Sequence, residues 1–198
     1  MYDPVKKQLF IHIGKVGGTS IQNYYLHHLV PETRKLEWSK VVSVEYYKKF
    51  LLKGFGTHNP HLSLCHHQSY CNIDDYFKFT ILRKPSDLVY SLFYEQRRRI
   101  KAKNYEEYIL TREFKQTIQP FSILGDCKGN LPYDKIFVYE RLDEVFDHID
   151  TVFSNKLPRI HLKHRPKLNT DNTSGLQNIV NSEFRDLYKL WHKHYNNG

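Results

Sequence analysis

The sequence predicts a three-layer α/β fold in which helices flank a central, mainly parallel β-sheet. Three short apolar segments have the character of buried strands, and each is followed by a segment with helical periodicity. Parallel strands joined by crossover helices account for this alternation. The chain has 198 residues, of which 40% are hydrophobic, and this is enough for one compact core. We therefore expect residues 1–198 to form a single domain.

The first strand–helix unit combines the apolar residues 9–13 with a glycine-rich turn at residues 14–20. Glycines let the backbone approach a phosphate closely, and the N–H groups and dipole of a following helix favour an anion. The turn also contains Lys15 and the hydroxyls of Thr19 and Ser20. We expect a phosphorylated ligand to bind at this turn. An ordinary glycine turn between a strand and a helix is the alternative.

The turn differs from the G-x-x-x-x-G-K-[ST] loop, in which a lysine directly precedes the hydroxyl that binds magnesium. Lys15 precedes both Gly17 and Gly18, and Gly18 stands before Thr19 where that loop has its lysine. Two other interpretations of the turn stay open. One is a small P-loop kinase that binds ATP with magnesium, and the other is a non-catalytic nucleotide- or glycan-binding protein.

The second unit places an arginine at the end of a strand. Residues 77–83 alternate and then become apolar, and Pro85 follows where proline suits the first turn of a helix. Arg83 offers a planar fork for a second phosphate, and Ser91, about two turns along the helix, offers a hydroxyl. The helix residues expected to pack on the sheet are Leu88, Val89 and Leu92.

These two segments, HIGKVGGTS and FTILRKPSDLVYSLFY, resemble motifs of the sulfotransferases that use 3′-phosphoadenosine 5′-phosphosulfate (PAPS). The carbohydrate type is most similar, with motifs of approximately HIPKTGGTS and TILRDPxxRxxSxY. The resemblance covers residues 8–26 and 64–95, and residues 133–195 loosely. It implies a P-loop-like fold and sulfuryl transfer from PAPS to a hydroxyl acceptor, with adenosine 3′,5′-bisphosphate (PAP) as the product.

The resemblance also implies which residues bind the donor. The residues implied for the 5′-phosphosulfate are Lys15, Gly17, Gly18, Thr19 and Ser20, and those for the 3′-phosphate are Arg83 and Ser91. This sequence departs from the family motifs at three positions. They are Gly14 in place of proline, Lys84 in place of aspartate and Leu88 in place of arginine. None of the three is an implied ligand.

A catalytic base is expected between the motifs, where LCHHQSY resembles the G-H-x-x-Y segment of the family. Aligning Tyr70 puts His67 on the histidine and His66 on the glycine. A neutral imidazole can accept a proton from a sugar hydroxyl, so His67 is the expected base and His66 the less favoured choice. Lys15 would stabilise charge on the bridging oxygen during in-line transfer. No metal is expected, because lysine, arginine and helix N–H groups supply the positive field.

The third unit and the chain beyond it carry further candidates. Glu140 ends a predicted strand at residues 135–140, where it either orients a neighbouring side chain or is a solvated helix-start carboxylate. The apolar positions of the next helix are Leu142, Val145, Phe146, Ile149 and Phe153.

The basic segment 157–169 is interrupted by prolines and is therefore expected to be a loop. This loop either closes over the nucleotide as a lid, as in related enzymes, or is simply solvated. The lid candidates are Lys163, Arg165 and Lys167. A terminal amphipathic helix has the core residues Phe184, Leu187, Tyr188, Trp191 and Tyr195.

The formal net charge of +9 fits a polyanionic donor and product, so we expect no nucleic-acid partner. Residues 97–103 are expected to continue the helix after Ser91 and either to contact an acidic glycan or to be solvated. Three cysteines make neither a disulfide framework nor a metal set, although a Cys65–Cys71 bridge stays open.

Residues 1–7 lead into the first strand without the pattern of a signal peptide, and no membrane span is expected. The expected protein is therefore soluble or cytoplasmic. Its partner is a hydroxylated acceptor, for which a glycan is the expected class. The identity of the acceptor and the oligomeric state stay open at this point.

Overall fold

The structure is a computed structural model that describes residues 2–29, 31, 34, 62–96, 101–116, 123–159 and 174–197. Within these residues, one sheet has four strands in the order β1–β2–β3–β4. The strands are β1 Tyr2–Asp3, β2 Gln8–Ile11, β3 Phe77–Leu82 and β4 Lys135–Val138. β1 is antiparallel to β2, whereas β2, β3 and β4 are parallel. The predicted α/β class with a mainly parallel sheet is confirmed.

The described part of the chain has seven α-helices. They are α1 Gly18–Leu29, α2 Leu64–Tyr70, α3 Pro85–Gln96, α4 Tyr105–Leu110, α5 Leu142–Phe153, α6 Ser174–Glu183 and α7 Arg185–Asn196. Two short 3₁₀ helices, Glu113–Gln116 and Tyr139–Arg141, follow α4 and β4. In the ranges that the structure describes, no helix combines the length and the apolar character that crossing a membrane requires.

Helix α5 covers one face of the sheet through aromatic contacts. His148 stacks on Phe77 at 4.8 Å between ring centroids and contacts the edge of Phe79 at 5.4 Å. Phe79 in turn stacks on Phe10, its neighbour in β2, at 5.1 Å. Burial lowers the pKa of His148, which favours a neutral ring in this apolar layer. Helix α1 also packs against α5, so the helices after β2 and β4 lie side by side.

The predicted apolar face of α3 is confirmed, but the predicted continuation of this helix through residue 103 is wrong. Leu88, Val89 and Leu92 are 2%, 0% and 8% exposed. The described part of the helix is Pro85–Gln96, residues 97–100 lie outside the described residues, and residues 101–103 are not helical. Asn104 Oδ1 accepts the Glu107 N–H at 2.8 Å, and the Glu107 carboxylate accepts the Lys103 N–H at 2.8 Å. This reciprocal capping starts α4, so Lys103 and Asn104 belong to the start of a new helix rather than to α3.

The helices after β4 largely match the periodicity of the sequence. In α5, the buried residues are Leu142, Val145, Phe146 and Ile149, as predicted, and Phe153 is partly buried. In α7, Leu187 and Trp191 are buried, whereas Tyr195 is 44% exposed and does not belong to the core. The ring of Tyr195 instead stacks on Trp191 with centroids 4.9 Å apart.

The structure corrects the disulfide prediction. Cys65 pairs with Cys127, 62 residues away, and Cys71 is the free cysteine. Cys65 lies in α2 and Cys71 directly follows it, so six helical residues separate the two by about 9 Å along the axis. That exceeds the Cα separation that a disulfide spans. The observed bond instead attaches α2 to residues 126–130, where the Asp126 carboxylate accepts two backbone N–H groups.

Candidate anion-binding site

The glycine-rich turn lies between the carboxyl end of β2 and the start of α1. Lys15 and Gly17 have φ angles of 70° and 80°, in the left-handed region that costs a lysine energy and glycine little. Helix α1 begins at Gly18, and Thr19 and Ser20 lie in its first turn. Backbone N–H groups in the first turn of a helix have no carbonyl partner within the helix. The turn therefore has the backbone form that suits an anion, as the sequence predicts.

Packing gives a second reason why residues 17 and 18 are glycines. A Cβ atom on Gly17 would lie 3.3 Å from both Leu142 and Tyr139. A Cβ atom on Gly18 would lie 1.8 Å from Nε2 of His12, whose ring is 7% exposed and stacks on Phe10. The turn thus needs small residues for its own packing, whether or not a ligand binds.

Replacing Gly18 by alanine should therefore lower the free energy of unfolding by about 1–3 kcal/mol, the usual cost of overpacking, and should weaken anion binding at the turn. Thermal unfolding and calorimetric titration measure the two effects. Gly14→Ala is the matched control, because a Cβ atom on Gly14 would meet nothing within 4 Å. The double variant His12→Ala/Gly18→Ala should recover part of the lost stability. If Gly14→Ala and Gly18→Ala were equally stable, the packing explanation would be wrong.

Arg83 connects the two sequence motifs. It follows β3, and its Nη1 atom donates a hydrogen bond to the carbonyl oxygen of Lys15 at 3.0 Å. The guanidinium lies 4.4 Å from the centre of the Tyr139 ring, a cation–π contact with the residue after β4. Its Nε atom is buried and has no hydrogen-bond partner among the described residues. Arg83 thus joins the chain segments that follow three neighbouring parallel strands, at the edge where open α/β sheets bind ligands.

The side chain of Lys15 forms an ion pair that the sequence motifs did not predict. Its Nζ atom lies 2.8 Å from Oε2 of Glu95, and the two side chains are 15% and 43% exposed. Glu95 lies in the last turn of α3, four residues after Ser91, which is itself 5% exposed. Helical positions i and i+4 share a face. Because Ser91 is a predicted donor-binding residue, its spacing of four residues from Glu95 could have predicted that Glu95 also lies near the turn.

The two candidate base residues lie in α2 and differ in exposure. His67 is 4% exposed, and burial, with a smaller contribution from His66, lowers the pKa of His67 to about 4. His67 is therefore neutral at pH 7, as a base must be, but reaching an acceptor would require movement of α2 or its neighbours. His66 is exposed, and its Nδ1 atom lies 2.6 Å from Oγ of Ser63, the residue that caps the helix.

Two further predictions concern Glu140 and the basic lid residues. The carboxylate of Glu140 accepts the indole N–H of Trp191 at 3.2 Å, so Glu140 orients a side chain of α7. The lid candidates Lys163, Arg165 and Lys167 lie outside the described residues. The last described residue before them is Arg159, whose guanidinium forms ion pairs with Asp147 and Asp150.

Comparisons with known proteins add no relative to this description. No family model matches the chain, and neither a curated protein nor a solved structure matches it. The functional argument therefore depends on the residues themselves.

Proposed function

We propose that this protein is a sulfotransferase with a P-loop-like fold that transfers the sulfuryl group of PAPS to a hydroxyl acceptor, for which a carbohydrate is the expected class. The observation that carries the proposal is the 3.0 Å hydrogen bond from Arg83 to the Lys15 carbonyl. It brings together the two motifs that the family uses for the two ends of this donor. The hydroxyls of Thr19, Ser20 and Ser91 belong to the same two segments.

Several features of the site fit a donor with two separate phosphate groups. Lys15 and the first turn of α1 offer one set of positive groups, and Arg83 offers a second. The Nε atom of Arg83 is buried and has no hydrogen-bond partner among the described residues. Buried donors usually have partners, so a local rearrangement that lets a ligand oxygen reach this atom would satisfy it.

The proposed chemistry is a direct transfer between two oxygens. The base, for which His67 is the candidate, accepts the proton of the acceptor hydroxyl as the new oxygen–sulfur bond forms. The bond between sulfur and the bridging phosphate oxygen breaks, and PAP leaves with the electron pair of that bond. Lys15 stabilises the charge that develops on this oxygen. Positioning and charge stabilisation dominate such loose transition states, so few residues are needed.

Calorimetry tests the donor class directly. PAP should bind the 198-residue chain without magnesium, and ATP with magnesium should bind much more weakly. Tight binding of ATP with magnesium and none of PAP would favour the kinase interpretation instead. Transfer of labelled sulfate from PAPS to a panel of glycans and small hydroxylated compounds then measures turnover. PAP binding without transfer to any of them would favour a non-catalytic binding protein.

A further inference from the structure

The ion pair between Lys15 and Glu95 is unexpected in a site that binds a polyanion. A carboxylate paired with this lysine repels an anionic donor and neutralises the positive charge that should attract it. The Lys15 backbone is also fixed, because Arg83 donates to its carbonyl oxygen at 3.0 Å. The ammonium group therefore reaches the last turn of α3 from a defined position, and Glu95 meets it at 2.8 Å.

We propose that Glu95 is a latch that occupies the anion position on Lys15 and is displaced when the donor binds. This inference rests on the proposed function. In the latched state, the Glu95 carboxylate takes the place of a donor oxygen. In the donor-bound state, the phosphosulfate pairs with Lys15, and the carboxylate of Glu95 turns to solvent.

The exposure of the two side chains supports such an exchange. Glu95 is 43% exposed and can be hydrated after release, whereas Lys15 is 15% exposed and stays in the site. Ion pairs with a partner this exposed contribute little to stability, so a ligand can displace the carboxylate at small cost. A donor with several negative charges also interacts with Arg83 and the start of α1, which a single carboxylate cannot do.

A latch has a consequence for selectivity. Any anion that binds Lys15 must first compete with a carboxylate held at the high effective concentration of an intramolecular group. Ligands with one anionic group gain only the set formed by Lys15 and the start of α1, whereas ligands with two separated groups also gain Arg83. The latch therefore favours nucleotides with phosphates at both ends over simple carboxylates and sulfate.

The experiment compares PAP binding in three variants by calorimetry. Glu95→Gln removes the charge and should lower the dissociation constant of PAP by about fivefold, the upper range for an exposed pair. Glu95→Asp keeps the charge but shortens the side chain and breaks the contact, so it should lower the constant at least about twofold. Glu106→Gln removes the same charge from an exposed position in α4 and should change nothing.

Each of the following outcomes would contradict the latch, and each would point to a different explanation. If only Glu95→Gln tightens binding, Glu95 acts by simple repulsion without a latch. If neither variant tightens binding, the ion pair has no role in donor access. If Glu95→Gln loses most of its sulfate transfer while PAP binding is unchanged, Glu95 is the catalytic base. If the unaltered protein does not bind PAP, the proposed function itself is wrong, and the latch proposal that depends on it is wrong as well.

Discussion

Replacing Lys15 by alanine should lower the rate of sulfate transfer by about 10²- to 10³-fold, the usual loss when one charge-stabilising group is removed from an active site. The variant loses the ammonium group beside the bridging oxygen and also leaves the carboxylate of Glu95 without this partner. PAP binding should weaken as well, because the negative charge of Glu95 then faces the donor without the ammonium group of Lys15 beside it. Steady-state kinetics and calorimetry measure the two effects separately.

Lys189→Ala is the matched control for this variant. Lys189 is exposed in α7 and has the same charge, so its removal tests whether the net charge of the protein matters. Turnover of Lys189→Ala should stay within about twofold of the unaltered protein, as surface substitutions usually have small effects. Near-normal turnover of Lys15→Ala would remove the lysine from the proposed mechanism.

Replacing His67 by alanine should lower turnover by about 10²- to 10⁴-fold, the contribution of a general base, and leave PAP binding nearly unchanged. Because His67 is 4% exposed, the alanine variant also leaves a cavity. His67→Gln fills more of that space and should lose turnover to a similar extent. Thermal unfolding of both variants shows whether the loss arises from chemistry or from stability.

The neighbouring histidine and the pH profile complete this test. His66→Ala should keep most of the activity if His67 is the base, and the reverse result would move the role to the exposed ring. Burial lowers the pKa of His67 to about 4, so its active, neutral form should persist well below neutral pH. If His67 acts from its buried position, the acidic limb of turnover should have its midpoint near pH 4. A midpoint near 6.5, the ordinary value of an imidazole, would indicate another histidine or a His67 that has left its buried position.

The three parallel strands and the helices that directly follow them could be predicted from the sequence because their signals are local. Each parallel strand in the structure begins or ends within two residues of its predicted position, and α3 starts at Pro85 as expected. The edge strand Tyr2–Asp3 was not predicted, since two residues give no periodicity. It is held instead by Asp3, whose buried carboxylate accepts hydrogen bonds from the Tyr25 hydroxyl and two backbone N–H groups.

The part of the site that could be predicted consists of residues whose positions follow from a local sequence signal. Lys15 and Gly17 belong to one turn, and Arg83 follows directly from the end of a strand, so the sequence places all three at one sheet edge. The ion pair with Glu95 joins residues 80 positions apart (95 − 15) and depends on how α3 packs. The burial of His67 likewise depends on tertiary contacts that helical spacing does not reveal.

The bond between Cys65 and Cys127 makes the helix with both candidate histidines dependent on the redox history of the sample. Such bonds persist in oxidising surroundings and are lost where thiols stay reduced. Protein prepared in a reducing host would contain three thiols, which allow three different pairs, and Cys71 could then be trapped in a wrong one. Cys71→Ser removes both wrong pairs, so oxidation of that variant leads to a single cross-linked species.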